Sequence, residues 1–262
     1  MIDFVKKDSY GLNDLRNIVS ILRAPGGCPW DREQTHESLR RGLLEESYEV
    51  VEAIGEQNPE HLKEELGDLL LQVVFHADIE QDAGRFDLDD VADGICKKLI
   101  FRHPHVFGDV SVSGTEEVLN NWDALKRQEK DQETYTDTLT AVAKSLPALW
   151  RAEKVQKKAK KAGFDWTDVS GALDKLSEEL AELREAVDQG TNVEEELGDL
   201  LFAAVNVSRF VEADPETVLS AATEKFISRF SKVEALASQS GRDMAQMSLE
   251  ELDQLWEKVK RT

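Results

Sequence analysis

The chain has 262 residues, enough for one sizeable core or two smaller halves, and its 40% apolar and 32% charged content suits neither a disordered chain nor a membrane protein. Its 53 acidic against 32 basic residues give a net charge of −21, which opposes binding to a polynucleotide, where affinity comes from neutralising many phosphates. No window reaches the apolar length of a bilayer span, so neither a membrane nor a nucleic-acid polymer is an expected partner.

The first residues, Met1 to Asp8, lack the apolar stretch and cleavage site of a secretory signal, and a cytoplasmic location is expected. Cys28 and Cys96 are too few for a disulfide framework and read as reduced thiols. Cys28 opens the run Cys28-Pro29-Trp30-Asp31, and Leu44-Glu45-Glu46-Ser47-Tyr48-Glu49 follows. Asn58-Pro59 places a capping side chain before a proline at the first helical position. Leu62, Leu66, Leu69, Leu70, Val73, Val74 and Ala77 then recur at three- and four-residue intervals, the mark of a helix burying one stripe. His76 falls on that stripe and reads as structural, and Gly84 stands where the helix should end. His103 and His105 flank Pro104 and read as turn residues rather than a two-histidine metal site.

The polar stretch from Gln128 to Thr140 reads as a linker. Ala148 to Lys161 forms a lead-in helix whose basic run (Lys154, Lys157, Lys158, Lys160, Lys161) is read as a solvated face. Helical stripes return at Leu173, Leu176, Leu180, Leu183 and Val187, and at Leu197, Leu200, Leu201, Ala204 and Val205, with Gly190 as a stop and Asp214-Pro215 as the next start. Gly241 marks another helix end. No credible run of alternating residues interrupts these stripes, so the expected class is all-α with no significant β-sheet.

An internal repeat organises the chain. Glu64-Glu65-Leu66-Gly67-Asp68-Leu69-Leu70 reappears without change as Glu195-Glu196-Leu197-Gly198-Asp199-Leu200-Leu201. Glu45-Glu46 and Glu49 are paralleled by Glu178-Glu179 and Glu182, and Lys98 and Arg102 by Lys225 and Arg229. Trp122 and Lys126 are paralleled by Trp256 and Lys260, and Pro29-Trp30-Asp31 more loosely by Phe164-Asp165-Trp166. The expected organisation is two tandem helical bundles, over residues 1–127 and 147–262, joined by a linker over 128–146.

Each copy carries Glu-x-x-Glu on one helix and Glu-x-x-Asp on the next: Glu46 and Glu49 with Glu65 and Asp68, then Glu179 and Glu182 with Glu196 and Asp199. Residues three apart share a helix face, and the intervening lengths allow an antiparallel helix pair that aims four carboxylates at one spot. Two unit charges 4 Å apart repel by about 4 kcal/mol at an effective dielectric near 20, so a cation must relieve such a cluster. All-oxygen ligation favours Mg²⁺, Mn²⁺ or Ca²⁺ over zinc. A di-iron bundle would need Glu-x-x-His on two helices, and the single such spacing, Glu33 to His36, has no second copy. Gly67 and Gly198 add weight, because glycine inside a helix costs about 1 kcal/mol, and their repetition suggests close approach of substrate or backbone.

These residues resemble the MazG nucleotide pyrophosphohydrolases of the all-α NTP pyrophosphatase superfamily, in the longer bacterial form with two tandem copies. The resemblance runs from about Leu15 to Lys260 and rests on Cys28 to Asp31, both carboxylate quartets, Arg102 to His105, and Gly163-Phe164-Asp165-Trp166. It implies Mg²⁺, with Mn²⁺ as a possible substitute, held by Glu179, Glu182, Glu196 and Asp199. It further implies nucleotide contacts at Lys175, Glu178, Glu195, Lys225, Arg229, Trp256 and Lys260. A second candidate site in the first copy comprises Glu45, Glu46, Glu49, Glu65, Asp68, Lys98, Arg102, Trp122 and Lys126. The chain departs from the pattern at Asn192, where relatives can carry lysine; His61 occupies that place in the first copy.

The chemistry this implies is hydrolysis of nucleoside triphosphates, ATP among them, to monophosphate and pyrophosphate, with broad base tolerance. Water attacks the α-phosphorus in line, Glu178 is the candidate to accept its proton or fix a second metal, Lys225, Arg229 and Lys260 clamp phosphates, and Trp256 offers a flat surface to the base. The competing expectation is a helical regulatory or interaction protein that binds nucleotide or metal without turnover. Family members close their sites by pairing, so a homodimer is expected.

Overall fold

The computed structural model describes residues 4–129 and 132–261, with backbone alone at positions 116, 119, 120, 123, 124, 127 and 128. The first residues of the N-terminal segment, two positions of the expected linker and Thr262 lie outside the described residues. Among the described residues the chain is helical, with no strand, and it divides into two units, Met1–Asp123 and Ala124–Thr262.

The first unit runs through α1 (Leu12–Arg23), α2 (Pro29–Glu33), α3 (His36–Glu56), α4 (Pro59–Asp82), α5 (Leu88–Arg102) and α6 (Pro104–Phe107), and includes the start of α7 (Thr115–Glu129). Its frame is the antiparallel pair α3 and α4, with α1 and α5 packed against α4. The hairpin is set by local chemistry. Gln57 ends α3 in the left-handed region at φ 56°, and the Asn58 side chain accepts from the backbone N–H groups of Glu60 and His61 while Pro59 opens α4. Val19, Leu39, Val74 and Phe75 are buried together, with Leu15, Leu71, Ile79 and Leu88 packed around them. Full burial of one such side chain contributes about 1.5–3 kcal/mol, so Val19 and Val74 bind α1 to α4.

The second unit repeats this plan with α9 (Ala148–Lys161), α10 (Val169–Gln189), α11 (Val193–Phe210), α12 (Pro215–Gln239), a single 3₁₀ turn (Met244–Gln246) and α13 (Leu249–Lys260). Here α10 pairs with α11, α9 lies on α11, and α13 packs along α12. The turn between α10 and α11 uses left-handed backbone at Gly190 (φ 67°) and Asn192 (φ 54°), and asparagine is among the few non-glycine residues that enter this region readily. Asp214 caps α12 through the Thr217 N–H, ahead of Pro215. A side chain at position 171 is excluded for a packing reason: a Cβ there would lie 2.3 Å from the Trp166 ring.

Two readings change. Part of the stretch expected as linker is ordered helix, since α7 continues to Glu129 and α8 (Tyr135–Thr140) packs on α9. At Gly67 and Gly198 the expected close approach of backbone is not met within either unit, because an added Cβ would find open space at both positions, space that a substrate could enter. Both lie on exposed helix surface, where nothing in their own unit needs the missing side chain.

Candidate active site

The pairing of α3 with α4 places Glu46, Glu49 and Glu65 so that one oxygen from each lies within 4.8 Å of the others. In the second unit α10 and α11 do the same for Glu179, Glu196 and Asp199. Each trio therefore draws ligand atoms from both arms of a helix hairpin, and each leaves one member of its quartet at the margin: Asp68 in the first, Glu182 in the second. Asp68 still raises the Glu46 pKa, after burial as the leading cause and together with Glu49 and Glu65. Glu182 is raised first by a hydrogen bond with Glu179 and then by burial. A carboxylate bonded to a carboxylate must hold a proton, so without a cation each cluster favours proton uptake.

The most buried acid in each cluster has a basic partner, and the two partners come from different helices. Glu179, 6% exposed, sits 2.8 Å from the Lys175 ammonium, which also reaches Glu178 at 2.7 Å. These two contacts hold the Lys175 pKa above its ordinary value. Glu65, 9% exposed, sits 3.1 Å from Nε2 of His61, whose Nδ1 lies 2.7 Å from Glu56. The Glu56 contact is the leading cause that raises the His61 pKa. Gly42 stands at the place matching Lys175, and Asn192 at the place matching His61, so the cation has exchanged helices between the copies. The His61 role had a sequence signal, its spacing of four from Glu65, that the carboxylate pattern overshadowed.

The other predicted residues form separate groups. On α12 and α13, Trp256 packs against Phe226 with ring centroids 5.2 Å apart, Lys260 lies 2.6 Å from Glu257, and Arg229 helps to lower the Glu257 pKa behind Lys260 as the leading cause. Lys225 is exposed one turn before Arg229, and Glu195 is exposed beside Glu196. In the first unit the Arg102 guanidinium lies over the Trp122 ring at 5.9 Å, Lys98 is exposed, Lys126 is half-buried, and Glu45 pairs with Arg41 at 2.7 Å. His103 Nδ1 donates to the Leu99 carbonyl, 2.6 Å away, and serves the turn into α6.

The donor set fits a hard divalent cation. All six converging side chains offer oxygen, two of them are nearly buried, and among the described residues one lysine in the second cluster and one histidine in the first relieve part of their mutual repulsion.

The model of the MazG nucleotide pyrophosphohydrolase domain matches twice, over residues 34–107 and 159–234, and each match contains one complete quartet. The chain belongs to the MazG family. It is 47% identical over 247 residues to the nucleoside triphosphate pyrophosphohydrolase/pyrophosphatase MazG of Thermotoga maritima, covering 94% of both chains. It is 44% identical over 255 residues to the nucleoside triphosphate pyrophosphohydrolase of Escherichia coli K12, covering 95% of this chain and 97% of the relative. A third relative, the Bacillus subtilis protein YabN, is 48% identical over 250 residues, which span 94% of this chain and 51% of that longer protein. In MazG terms, the two helix hairpins that carry the carboxylates are the two domain copies.

Proposed function

We propose that this chain hydrolyses nucleoside triphosphates to nucleoside monophosphate and pyrophosphate in a Mg²⁺-dependent reaction, with Mn²⁺ as a substitute and broad tolerance of the base. The observation that carries this reading is the convergence of Glu179, Glu196 and Asp199, repeated at Glu46, Glu49 and Glu65. Membership of the MazG family supports it, as do the names of the Thermotoga maritima and Escherichia coli relatives, both nucleoside triphosphate pyrophosphohydrolases.

In the second unit Glu179, Glu182, Glu196 and Asp199 would hold the cation. Bound there, Mg²⁺ supplies charge neutralisation for the triphosphate and acidifies a water. Glu178, exposed at the rim and tethered by Lys175, would take the proton of the attacking water once Lys175 turns toward a phosphate. Lys225, Arg229 and Lys260 steady the polyphosphate, and Trp256 presents a ring face that discriminates little between bases.

The described chain also exposes large apolar side chains: Leu197, Leu201 and Phe202 on α11 and Phe226, Ile227 and Phe230 on α12, with Leu66, Leu70 and Val73 on α4. Such faces mark an interaction surface, and we assign it to a second copy of the chain in a homodimer. Light scattering coupled to gel filtration at the monomer mass refutes that assignment.

The activity is tested with a panel of nucleoside triphosphates and Mg²⁺, resolving pyrophosphate from orthophosphate. Glu196→Ala and Asp199→Ala abolish turnover. Full activity in both variants, or release of orthophosphate, overturns the proposal.

A further inference from the structure

The two carboxylate hairpins differ along the seam that leads away from them. On α4 the residues at successive turns after Asp68 are Gln72, His76 and Glu80; at the matching places after Asp199 stand Ala203 and Val207 on α11 and Val211 at its C-cap. The first unit thus carries a polar ladder between α3 and α4 where the second carries an apolar one.

The ladder is connected. Glu80, 7% exposed, bonds Nε2 of His36 and is also held by Arg85, whose terminal nitrogen lies 2.7 Å from it. Nδ1 of His36 faces Nδ1 of His76 at 2.7 Å. With ring centroids 5.0 Å apart and planes 17° from parallel, the two imidazoles meet edge to edge through these nitrogens. A carboxylate only accepts, so His36 Nε2 donates to Glu80. In the neutral pair His36 Nδ1 is then the acceptor and His76 Nδ1 the donor, which leaves His76 Nε2 as a bare acceptor. That atom is buried and meets no protein partner, and the same holds for the amide oxygen of Gln72, one turn earlier on the same face of α4. A proton on His76 Nε2 converts that buried acceptor into a donor, on the face of α4 that also carries the unpartnered Gln72 oxygen.

We propose that this seam is a proton-linked regulator of the first carboxylate cluster: His76 takes up a proton when the cluster holds no divalent cation and releases it when the cluster is loaded, and the second unit has no counterpart. The proposal rests on the reading that Glu46, Glu49, Glu65 and Asp68 hold a divalent cation. An empty cluster is a net anionic field that favours the imidazolium, and a loaded one is not.

The surroundings of His76 do not compete for this role. From α3, His36 reaches it. From α1, Arg23 is engaged by Asp78 and Asp82, and Arg16 by Gln81, Asp87 and Asp89. Toward α5, Arg85 is committed to Glu80, and Asp87 caps that helix. Burial, followed by the neighbouring His36, lowers the His76 pKa and places its titration on the acidic side of neutrality. Eight residues of helix put His76 about 12 Å from Asp68. At that separation and an effective dielectric near 20, one unit charge moves the midpoint by about one pH unit, and by about half a unit once salt screens it. The reciprocal effect is a roughly threefold loss of cation affinity as His76 becomes protonated.

The test follows the histidine Cε1–H resonances of the full chain by NMR between about pH 5 and 8, with and without saturating Mg²⁺. His76→Gln and His61→Asn assign the two relevant signals; should His76→Gln not fold, through-bond assignment of the wild-type chain replaces it. His61 must be separated because it touches Glu65 directly. Mg²⁺ is expected to lower the His76 midpoint by about half a unit. That shift survives in Glu196→Ala/Asp199→Ala and disappears in Glu46→Gln/Glu65→Gln. An unchanged midpoint, in a second-cluster variant that calorimetry shows still binds Mg²⁺, overturns the proposal. Absence of Mg²⁺ binding to that variant instead overturns the cation reading of the first cluster, and the linkage with it.

Discussion

The ammonium of Lys175 lies 2.8 Å from the carboxylate of Glu179, four residues on along α10. It neutralises part of the charge that makes the second cluster repulsive, and it competes with any cation for the same oxygen. Lys175→Met should therefore lower the melting temperature of the cation-free chain and strengthen Mg²⁺ binding several-fold. Turnover should fall at least tenfold, since the side chain that tethers Glu178 is lost. Thermal melts against Mg²⁺ concentration, run beside a pyrophosphate assay, check both arms. Equal cation affinity in the two proteins would show that Lys175 is not the competitor.

Asp165 and Arg209 form a buried pair, with side chains 12% and 5% exposed and one N–O contact at 2.9 Å. Removing one partner strands the other charge in a poorly solvated place, which in buried pairs costs about 3–5 kcal/mol. Asp165→Ala should destabilise the second unit by that order, while Asp165→Leu/Arg209→Leu should recover most of the loss. Urea unfolding followed by circular dichroism reads both. A single variant within about 0.5 kcal/mol of wild type would contradict the geometry.

The helix hairpins and the duplication were legible because they are written in local spacing: apolar residues at three and four, Asn58-Pro59 and Asp214-Pro215 at helix starts, and a seven-residue block repeated without change. The Asp165–Arg209 pair was not. It joins residues 44 apart, and the first unit answers it with Arg23 on α1 and Asp78 on α4, so the charges are reversed at the matching position and comparison of the copies conceals them. The i, i+4 partners of the buried acids were visible in principle, yet a repeat comparison directs the eye to what is shared. Lys175 and His61 are what differs. Of the two approaches that the repeated glycines Gly67 and Gly198 suggest, that of backbone is absent within each unit, where neither has a close neighbour.

Gly171 is the glycine with a demonstrable packing role. A methyl group there would press on the Trp166 ring at the start of α10, so the ring must leave its position or the helix must shift. Overpacking of this kind costs about 1–3 kcal/mol, which outweighs the gain of about 1 kcal/mol that alanine brings to a helix. Gly171→Ala should lower stability and blue-shift or red-shift the Trp166 fluorescence, whereas Gly198→Ala, which meets open space, should be neutral or slightly stabilising in the cation-free chain. Paired melts of the two variants separate these outcomes, and a stabilised Gly171→Ala would refute the packing argument.

Cation loading should release protons at mildly acidic pH. Glu46 and Glu182 both titrate above the ordinary value of 4.5, Glu46 chiefly through burial and Glu182 chiefly through its bond with Glu179. A carboxyl group with a raised folded-state pKa binds more protons folded than unfolded, so without cation its contribution to stability is greatest at low pH and declines as pH rises through and above 4.5. Mg²⁺ requires the ionised form, and its binding expels those protons. Near pH 5, titration calorimetry in buffers of different ionisation enthalpy should report a fraction of a proton released per cluster, falling toward zero as neutrality is approached except for any proton carried by His61 or His76. Glu182→Gln should remove the second unit's share and leave the first unit's intact. Proton uptake on binding, or a release that grows with pH, would be incompatible with carboxylates that share protons until a cation displaces them.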